Sequence, residues 1–405
     1  RPYYRSSEGV FGTMKWSSCN SPWKLMTDFA INWEDRRWLA DFAVTSSRLT
    51  QGPQVKMFED RWSEWQGCKY SVFVNSGSAA NLILVNAVQS VFDRPRRWAA
   101  QACTWSTTIS PIIQSSEGDL APELYLSDID LKNFSPDLKE LEKIFIDEEI
   151  EYLFLTHLLG FPSISKELLD LCKDYDVILL EDCCESHGAT FEGVKVGNFG
   201  EGSTFSFYYG HHMTTIEGGM VCTDNEDVYH ELLLLRSHGL LRELPPKERA
   251  KRKPEGVDPQ FCFLRDGFNC RNTEMHAGLG IMQLKDLDMF IEIRNENFHT
   301  FIKGLDPEKY ETGFLTEGVS NFALPIFVKD PSMLDSVRDA LDANNVEHRP
   351  CIAGNINRHP LADILPKSYP DDNAEKVHMQ CIYIGNHQDV NVEDVKKLCE
   401  ILNEI

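Results

Sequence analysis

Short runs of aliphatic and aromatic residues, each followed by a stretch with helical spacing, limit the fold of this chain more than any other feature. Residues 70–74, 98–104, 123–127, 152–155, 177–180, 204–208 and 220–223 read as strands. Between them, Val55, Phe58, Trp62 and Trp65 place one apolar face on a helix over residues 55–66. A second helix continues to about Phe92, and Leu168, Leu169 and Cys172 mark another. Strands that are apolar almost throughout are covered on both faces, and strand–helix–strand order builds a parallel sheet with helices on either side. The expected class is therefore α/β: a doubly wound, mostly parallel sheet flanked by helices. In such sheets ligands sit beyond the C-terminal ends of the strands, so the chemistry is expected in the loops that follow these runs.

Past residue 274 the pattern changes. One or two long helices cover residues 274–305, and strand-like segments 322–328, 346–350 and 382–384 then alternate with helices over 332–344 and 392–404. This reads as a smaller α+β domain. The expected division is an unassigned extension over 1–25, a large α/β domain over 26–290 and a small C-terminal domain over 291–405, which suits a chain of 405 residues. Lys and Arg number 40 against 63 Asp and Glu, a formal net charge of −23. So acidic a chain repels nucleic-acid phosphates, and no nucleic-acid partner is expected. No apolar run approaches the length of a membrane span. Arg1–Tyr4 has neither an initiator Met nor an apolar stretch, and reads as a trimmed start rather than a signal peptide. The 12 dispersed Cys read as buried thiols of a reducing compartment, so a cytoplasmic enzyme is expected.

Three strand ends carry candidate chemistry. Ser76-Gly77-Ser78-Ala79-Ala80 sits between a strand and a helix, where small residues let backbone N–H groups approach an anion. Glu181-Asp182 closes a strand of pure aliphatics; a carboxylate there either caps a helix or pairs with a cationic ring nitrogen. Trp105, in Cys103-Thr104-Trp105-Ser106, is either core or a stacking plate for a flat ring. The segment 240–260 is basic in an otherwise acidic chain, with Arg242, Lys247, Arg249, Lys251, Arg252 and Lys253. It reads as a solvated loop or as an arm that meets an anionic substrate.

The most specific segment is Phe205-Ser206-Phe207-Tyr208-Tyr209-Gly210-His211-His212-Met213-Thr214-Thr215-Ile216-Glu217-Gly218-Gly219. Here the chain resembles the fold-type I pyridoxal-phosphate enzymes of the DegT/DnrJ/EryC1/StrS sugar aminotransferase family. Their pattern of Ser, four residues, Lys and then Glu-Gly-Gly attaches the cofactor through that Lys. The offset from Glu217 puts His211 in the place of the Lys. That replacement is the mark of the family's 3-dehydratase branch, which deoxygenates nucleotide-linked 4-keto-6-deoxy sugars in dideoxysugar biosynthesis. Leu180-Glu181-Asp182-Cys183-Cys184-Glu185-Ser186, Gly267-Phe268-Asn269-Cys270-Arg271, Arg349-Pro350 with Gly354-Asn355, and Gly385-Asn386-His387-Gln388 extend the likeness from about residue 25 to the end.

The resemblance implies a fold-type I transferase with pyridoxal or pyridoxamine phosphate held non-covalently. Asp182 would bond the pyridine nitrogen, Trp105 would stack on the ring and Glu185 would lie beside it. Gly77, Ser78 and Ser206 would hold the phosphate, helped by Asn269 from a second subunit of a homodimer with shared active sites. Arg271 would meet the carboxylate of L-glutamate as amino donor, with His212, Arg349, Asn386 and His387 as further substrate or donor contacts. The cofactor's amine would condense with the C4 ketone, and His211 would move the proton at C4′ and return it to the departing C3 hydroxyl. The products would be a 4-keto-3,6-dideoxy sugar and ammonia, glutamate would regenerate the amine, and no reductase is needed. Imidazole suits this role, since it has no primary amine for a Schiff base yet exchanges protons near neutral pH.

Other readings rest on the same residues. A sugar aminotransferase using another base lacks the attaching Lys, for which Lys195 is a poor substitute. A cofactor-free scaffold is at odds with the joint presence of Trp105, Asp182 and Ser206. Cys183, Cys184 and His187 lack paired zinc spacing. Cys262 and Cys270 fit the last spacing of the iron–sulfur dehydratases, but Gln260 and Gly202 stand where two further ligands are required, so no metal is expected.

Overall fold

The computed structural model of the chain describes residues 22–28, 30–115, 123–366 and 369–405. Its strands in the first part of the chain are β1 (Tyr70–Val74), β2 (Trp98–Gln101), β3 (Leu124–Ser127), β4 (Tyr152–Thr156), β5 (Ile178–Asp182), the small hairpin β6 (Thr190–Phe191) and β7 (Val194–Lys195), β8 (Gly202–Ser206) and β9 (Gly219–Thr223). Seven of them form one sheet in the order β1-β9-β8-β5-β4-β2-β3. Neighbours are parallel from β3 to β8, whereas β9 runs antiparallel to both β8 and β1. A single strand is thus reversed, because a hairpin loop and not a crossover helix joins β8 to β9. The helices are α1 (Trp33–Thr45), α2 (Pro53–Gln66), α3 (Gly77–Phe92), α4 (Ser106–Gln114), α5 (Leu138–Asp147), α6 (Lys166–Asp174), α7 (Glu226–Arg236), α8 (Pro246–Arg252), α9 (Glu274–Gln283) and α10 (Leu287–Gly304).

The two-residue period of the strands divides the core. Val72 and Val74 enter one apolar cluster and Phe73 the other; Tyr152 and Phe154 oppose Leu153 and Leu155; Leu180 opposes Leu179. Each strand is therefore buried on both sides, which is why its sequence is apolar without a break. Helix α1 was not evident in the sequence because it has no clean apolar stripe, and its Val44 is 86% exposed.

A second sheet, β10-β12-β11, is antiparallel: β10 (Ala323–Phe327), β11 (His348–Pro350) and β12 (Cys381–Gly385), with α11 (Leu334–Ala343), α12 (Asp372–Gln380) and α13 (Val392–Asn403). Helix α10 runs unbroken across residue 291. Its Phe298 and Phe301 share one core with Leu324 and Ile326 of the small sheet and with Phe134 of the large part. The two parts therefore meet along a shared helix and core, not at a linker. Residues 1–21 of the expected extension lie outside the described residues. Trp23 does not stand apart: it bridges Val346, and its Nε1 donates to the carbonyl of Gly385 at 2.8 Å.

Strand β1 is an edge strand, and its outward backbone groups are covered. The Phe73 N–H donates to Glu59 Oε1 at 3.0 Å, and Arg236 Nη1 donates to the same oxygen at 2.6 Å and to the Phe73 carbonyl at 3.2 Å. This buried pair joins α2, α7 and the sheet edge. Arg236→Met leaves a buried carboxylate without its cation, and is expected to lower stability by about 3–5 kcal/mol in urea denaturation. A loss below about 1 kcal/mol would show that the pair does not hold the edge.

Candidate functional site

The loops leaving β1, β2, β4, β5 and β8 converge on a cavity of about 610 Å³. Because these strands are parallel, their C-terminal ends lie along one edge of the sheet. Ser76, Gly77 and Ser78 enter the cavity from β1, Trp105 from β2, Thr156 and Leu158 from β4, Asp182, Cys184 and Glu185 from β5, and Ser206, Tyr208 and His211 from β8. Lys24, Asp28, Phe322, Glu347, Arg349 and Tyr383 close the far side.

An anion cradle forms at the start of α3. Ser76 caps the helix by accepting from the Ala79 N–H at 3.0 Å, and the first-turn residues Gly77 and Ser78 stand at the cavity wall. A Cβ at Gly77 would lie 2.7 Å from Ser206 Cβ and 3.1 Å from Cys184 Sγ, so glycine is what lets the Ser206 hydroxyl approach this helix end. Ser78 Oγ donates to Thr107 Oγ1 at 3.0 Å.

Asp182 ends β5, buried, with its carboxylate fixed from three sides. Oδ2 accepts from Asn81 Nδ2 at 2.9 Å and from Thr108 Oγ1 at 2.7 Å, and Oδ1 accepts from the Cys184 N–H at 3.1 Å. The remaining acceptor capacity faces the cavity. Trp105, 52% exposed, presents its indole at the mouth as the residue before α4. Glu185 accepts from the Leu159 N–H at 2.8 Å; burial, with the Asp182 charge adding to it, pushes its carboxyl up to about 8. At neutral pH it is largely protonated and can donate a hydrogen bond.

His211 lies on the β8–β9 loop, which is closed by Phe207 N–H to Gly218 O at 2.9 Å and Thr215 N–H to Phe207 O at 3.0 Å. Its ring packs on Phe322, with 5.2 Å between centroids, and its carbonyl accepts from Arg294 Nη2 at 3.4 Å. Burial lowers its pKa to about 4, and the Arg294 charge acts in the same direction. The ring is therefore neutral at pH 7 and able to accept a proton. The lysine alternatives are placed otherwise. Lys195 Nζ lies 3.9 Å from the Trp65 ring centroid and donates to the Trp65 carbonyl, away from the cavity. Among the described residues Lys24 is the one lysine on the cavity wall, and its Nζ donates to both carboxylate oxygens of Asp28 at 2.7 Å.

Three of the expected substrate or donor contacts, His212, Asn386 and His387, are not on the cavity wall. His212 lies behind the wall, where its Nε2 meets Ser320 O and Oγ, both at 3.1 Å. Asn386 is buried, donating to Arg294 O and Asn321 Oδ1 at 2.8 Å each, and His387 is buried beside it. These three serve the packing under the cavity because their loops turn inward. Asn269 and Arg271 are not on the wall of their own chain's cavity: Arg271 Nε donates to Asn269 Oδ1 at 3.1 Å, and Nη2 faces His238 Nε2 at 3.3 Å. Of the basic segment, Arg252 pairs with Glu231 and Glu248, and Lys251 with Glu248, also off the cavity. Cys262 and Cys270 are buried free thiols of the main core. The sequence reading missed Asn81, Thr108 and Arg294, because a polar residue on an otherwise apolar helix face gives no sign of what it meets.

Among the described residues one cluster, His157, Glu181 and Cys183, has metal-ligand spacing. Its carboxylate is already occupied: Glu181 accepts from Gly197, Phe199 and Gly200 N–H at 2.7–2.8 Å and faces His157 Nε2 at 3.0 Å. Because His157 Nδ1 accepts from the Ser163 N–H, Nε2 carries the proton and donates to Glu181, which leaves no free ligand pair.

Comparison with known proteins agrees with this geometry. A model of the DegT/DnrJ/EryC1/StrS aminotransferase family matches residues 34–403. The chain is 33% identical over 388 residues to a GDP-4-keto-6-deoxy-D-mannose 3-dehydratase of Escherichia coli O55:H7, covering 91% of this chain and 97% of the relative. A solved E. coli GDP-4-keto-6-deoxy-D-mannose 3-dehydratase with bound hydrated pyridoxal phosphate superposes with a TM-score of 0.85 at 30% identity, over 94% of this chain and 99% of the other. A structure of that dehydratase with a trapped pyridoxal phosphate–glutamate adduct gives 0.85 at 31% identity, over 94% and 100%.

The lowered proton affinity of His211 is open to measurement. Between 6.5 and about 4 the unfolded chain binds this proton and the folded chain does not, so the contribution of His211 makes stability fall as pH falls through that window. In an NMR titration of the free protein, with His211→Asn to assign the signals, the ring is expected to stay neutral from pH 8 down to about 5. A midpoint near 6.5 would contradict the buried setting described here.

Proposed function

The chain belongs to the DegT/DnrJ/EryC1/StrS aminotransferase family, and from that premise we propose that His211 and the surrounding cavity remove the C3 hydroxyl of a GDP-linked 4-keto-6-deoxyhexose. The protein is a pyridoxal-phosphate-dependent 3-dehydratase with the fold-type I architecture. The observation that carries the reading is a neutral histidine at the cavity wall, where the one lysine among the described residues lining it is held by an aspartate.

The cavity fits the cofactor. The α3 amides and the Ser206 hydroxyl form an anion cradle of the kind a phosphate needs, and helix polarity favours negative charge there. Asp182 offers a fixed carboxylate for a protonated ring nitrogen, and Trp105 offers a face for stacking. Glu185, protonated by its burial, can donate to an oxygen at the ring edge. When bound, the cofactor would supply an amine for the C4 ketone and a ring that takes up the electron pair left when the C4′ proton is removed and gives it back to expel the C3 hydroxyl. His211 would take the proton from the C4′ carbon and return it to the departing oxygen, while Asp182 would keep the ring nitrogen protonated. Glutamate restores the amine, and the same histidine serves that half-reaction. No lysine takes part, which sets this reading apart from an aminotransferase.

Asn269 and Arg271 serve the cavity of a second copy in a homodimer. The cationic side chains on the chain's own cavity wall, Lys24 and Arg349, already face Asp28 and Glu347. A glutamate carboxylate thus finds, among the described residues of one subunit's cavity wall, only lysine or arginine side chains that already face a carboxylate. Phe261 and Phe263, on the segment leading to Asn269, are 67% and 63% exposed, which suits an interface.

His211→Asn is expected to retain cofactor and lose about two to four orders of magnitude of deoxygenation, measured as ammonia and 3-deoxy sugar from the GDP-linked substrate with glutamate. Borohydride is expected to trap no cofactor on the wild type but to trap it on His211→Lys, where a primary amine is restored. Cofactor trapped on a lysine of the wild type would overturn the reading in favour of an aminotransferase. The dimer has its own test. Mixing inactive His211→Asn with inactive Arg271→Ala under subunit exchange should restore about a quarter of wild-type activity, because hybrid dimers carry one intact site. No restoration would show that Arg271 does not act across an interface.

A further inference from the structure

Behind His211, away from the cavity, lies a second histidine that the reaction does not use. His187 is fully buried, and both of its ring nitrogens lack a hydrogen-bond partner. The Ser206 carbonyl is close enough to raise its proton affinity, but not in hydrogen-bond geometry. Its walls are apolar: the Trp62, Phe205 and Phe207 rings lie 5.6, 5.8 and 5.7 Å from its centroid. On the open side, the His211 ring lies 6.2 Å away and nearly parallel, at 26°, and the His212 ring lies 5.2 Å away. Nδ1 of His211 and Nδ1 of His212 are likewise sealed from solvent without a partner in hydrogen-bond geometry, although the Cys184 carbonyl is close enough to raise the proton affinity of His211. Orphaned polar atoms gathered this closely are rare in folded proteins, where buried polar groups are paired with protein or with ordered water.

We propose that His187 is a positioning residue for His211, joined to it by one ordered water that bridges a His187 nitrogen and His211 Nδ1. The inference rests on the reading of His211 as the proton carrier. Centroids 6.2 Å apart leave even facing ring nitrogens too far for a direct hydrogen bond, and within reach of two hydrogen bonds of about 2.8 Å through one water. The need for such a partner follows from the chemistry. When His211 takes a proton on one nitrogen, the other must carry N–H as well, and a buried N–H on a cation is costly without an acceptor. The water accepts from Nδ1–H and donates to the lone pair of His187, which stays neutral throughout. No net proton leaves the pair, and when His211 gives its proton back the same bonds remain.

The test uses the holoenzyme. A high-resolution crystal structure is expected to show a water within hydrogen-bond distance of both rings; rings in contact with no water between them would overturn the proposal. His187→Phe keeps the ring and removes both nitrogens, and should lower kcat about tenfold with KM within about twofold and no loss of thermal stability. His187→Gln keeps a polar group and should recover most of that kcat. Unchanged kcat in His187→Phe, or equal loss in both variants, would also overturn it, the latter showing a packing role only. If the wild type itself yields no 3-deoxy sugar, the reading of the reaction fails, and presence or absence of the bridging water alone decides the inference.

Discussion

Two adjacent carboxylates at the end of β5 hold the two sides of this molecule together. Glu181 points to one face of the sheet, where it is fully buried and satisfies three amides of the loop before β8 as well as His157. Asp182 points to the other face and binds Asn81 of α3, Thr108 of α4 and the Cys184 amide. The alternation of a β-strand makes this division unavoidable. One residue fixes the turn that feeds β8, and the next fixes the helix ends that frame the cavity. Thr204 of β8 completes the arrangement by donating to Asn81 Oδ1 at 2.6 Å, so β5, β8 and α3 are locked in one register.

On that frame the electrostatics of the cavity are divided by place. The sheet edge gathers carboxylates, with Asp182 ready for a cationic ring nitrogen and Glu185 protonated by burial, its pKa pushed up to about 8. Beneath the β8–β9 loop the sign is opposite. Arg294 is buried, its own pKa lowered to about 9, and its charge acts together with burial to weaken proton binding by His187, His211, His212 and His387. His211 is thus kept neutral at pH 7 by burial and by the cation behind it.

Much of this was legible in the sequence. The unbroken aliphatic strands require cover on both faces, and the two apolar clusters supply it. The loops after residues 74, 101, 182 and 206 carry the candidate groups, as expected for a parallel sheet. The reversed strand β9 was not legible, since hydrophobic pattern does not encode strand direction. Nor was the inward turn of His212, Asn386 and His387: motif likeness places a residue in a loop, and packing decides which way its side chain faces.

The sequence by itself determined the class of the fold, the family and the replacement of lysine by histidine at position 211, because these depend on local pattern and residue type. Tertiary structure alone decided that Lys24 is committed to Asp28, that Arg294 lies under His211, and that Asn269 and Arg271 stand off their own chain's cavity. Each of these is set by how the elements pack and by where loops and side chains turn, which the local pattern of residue types does not record.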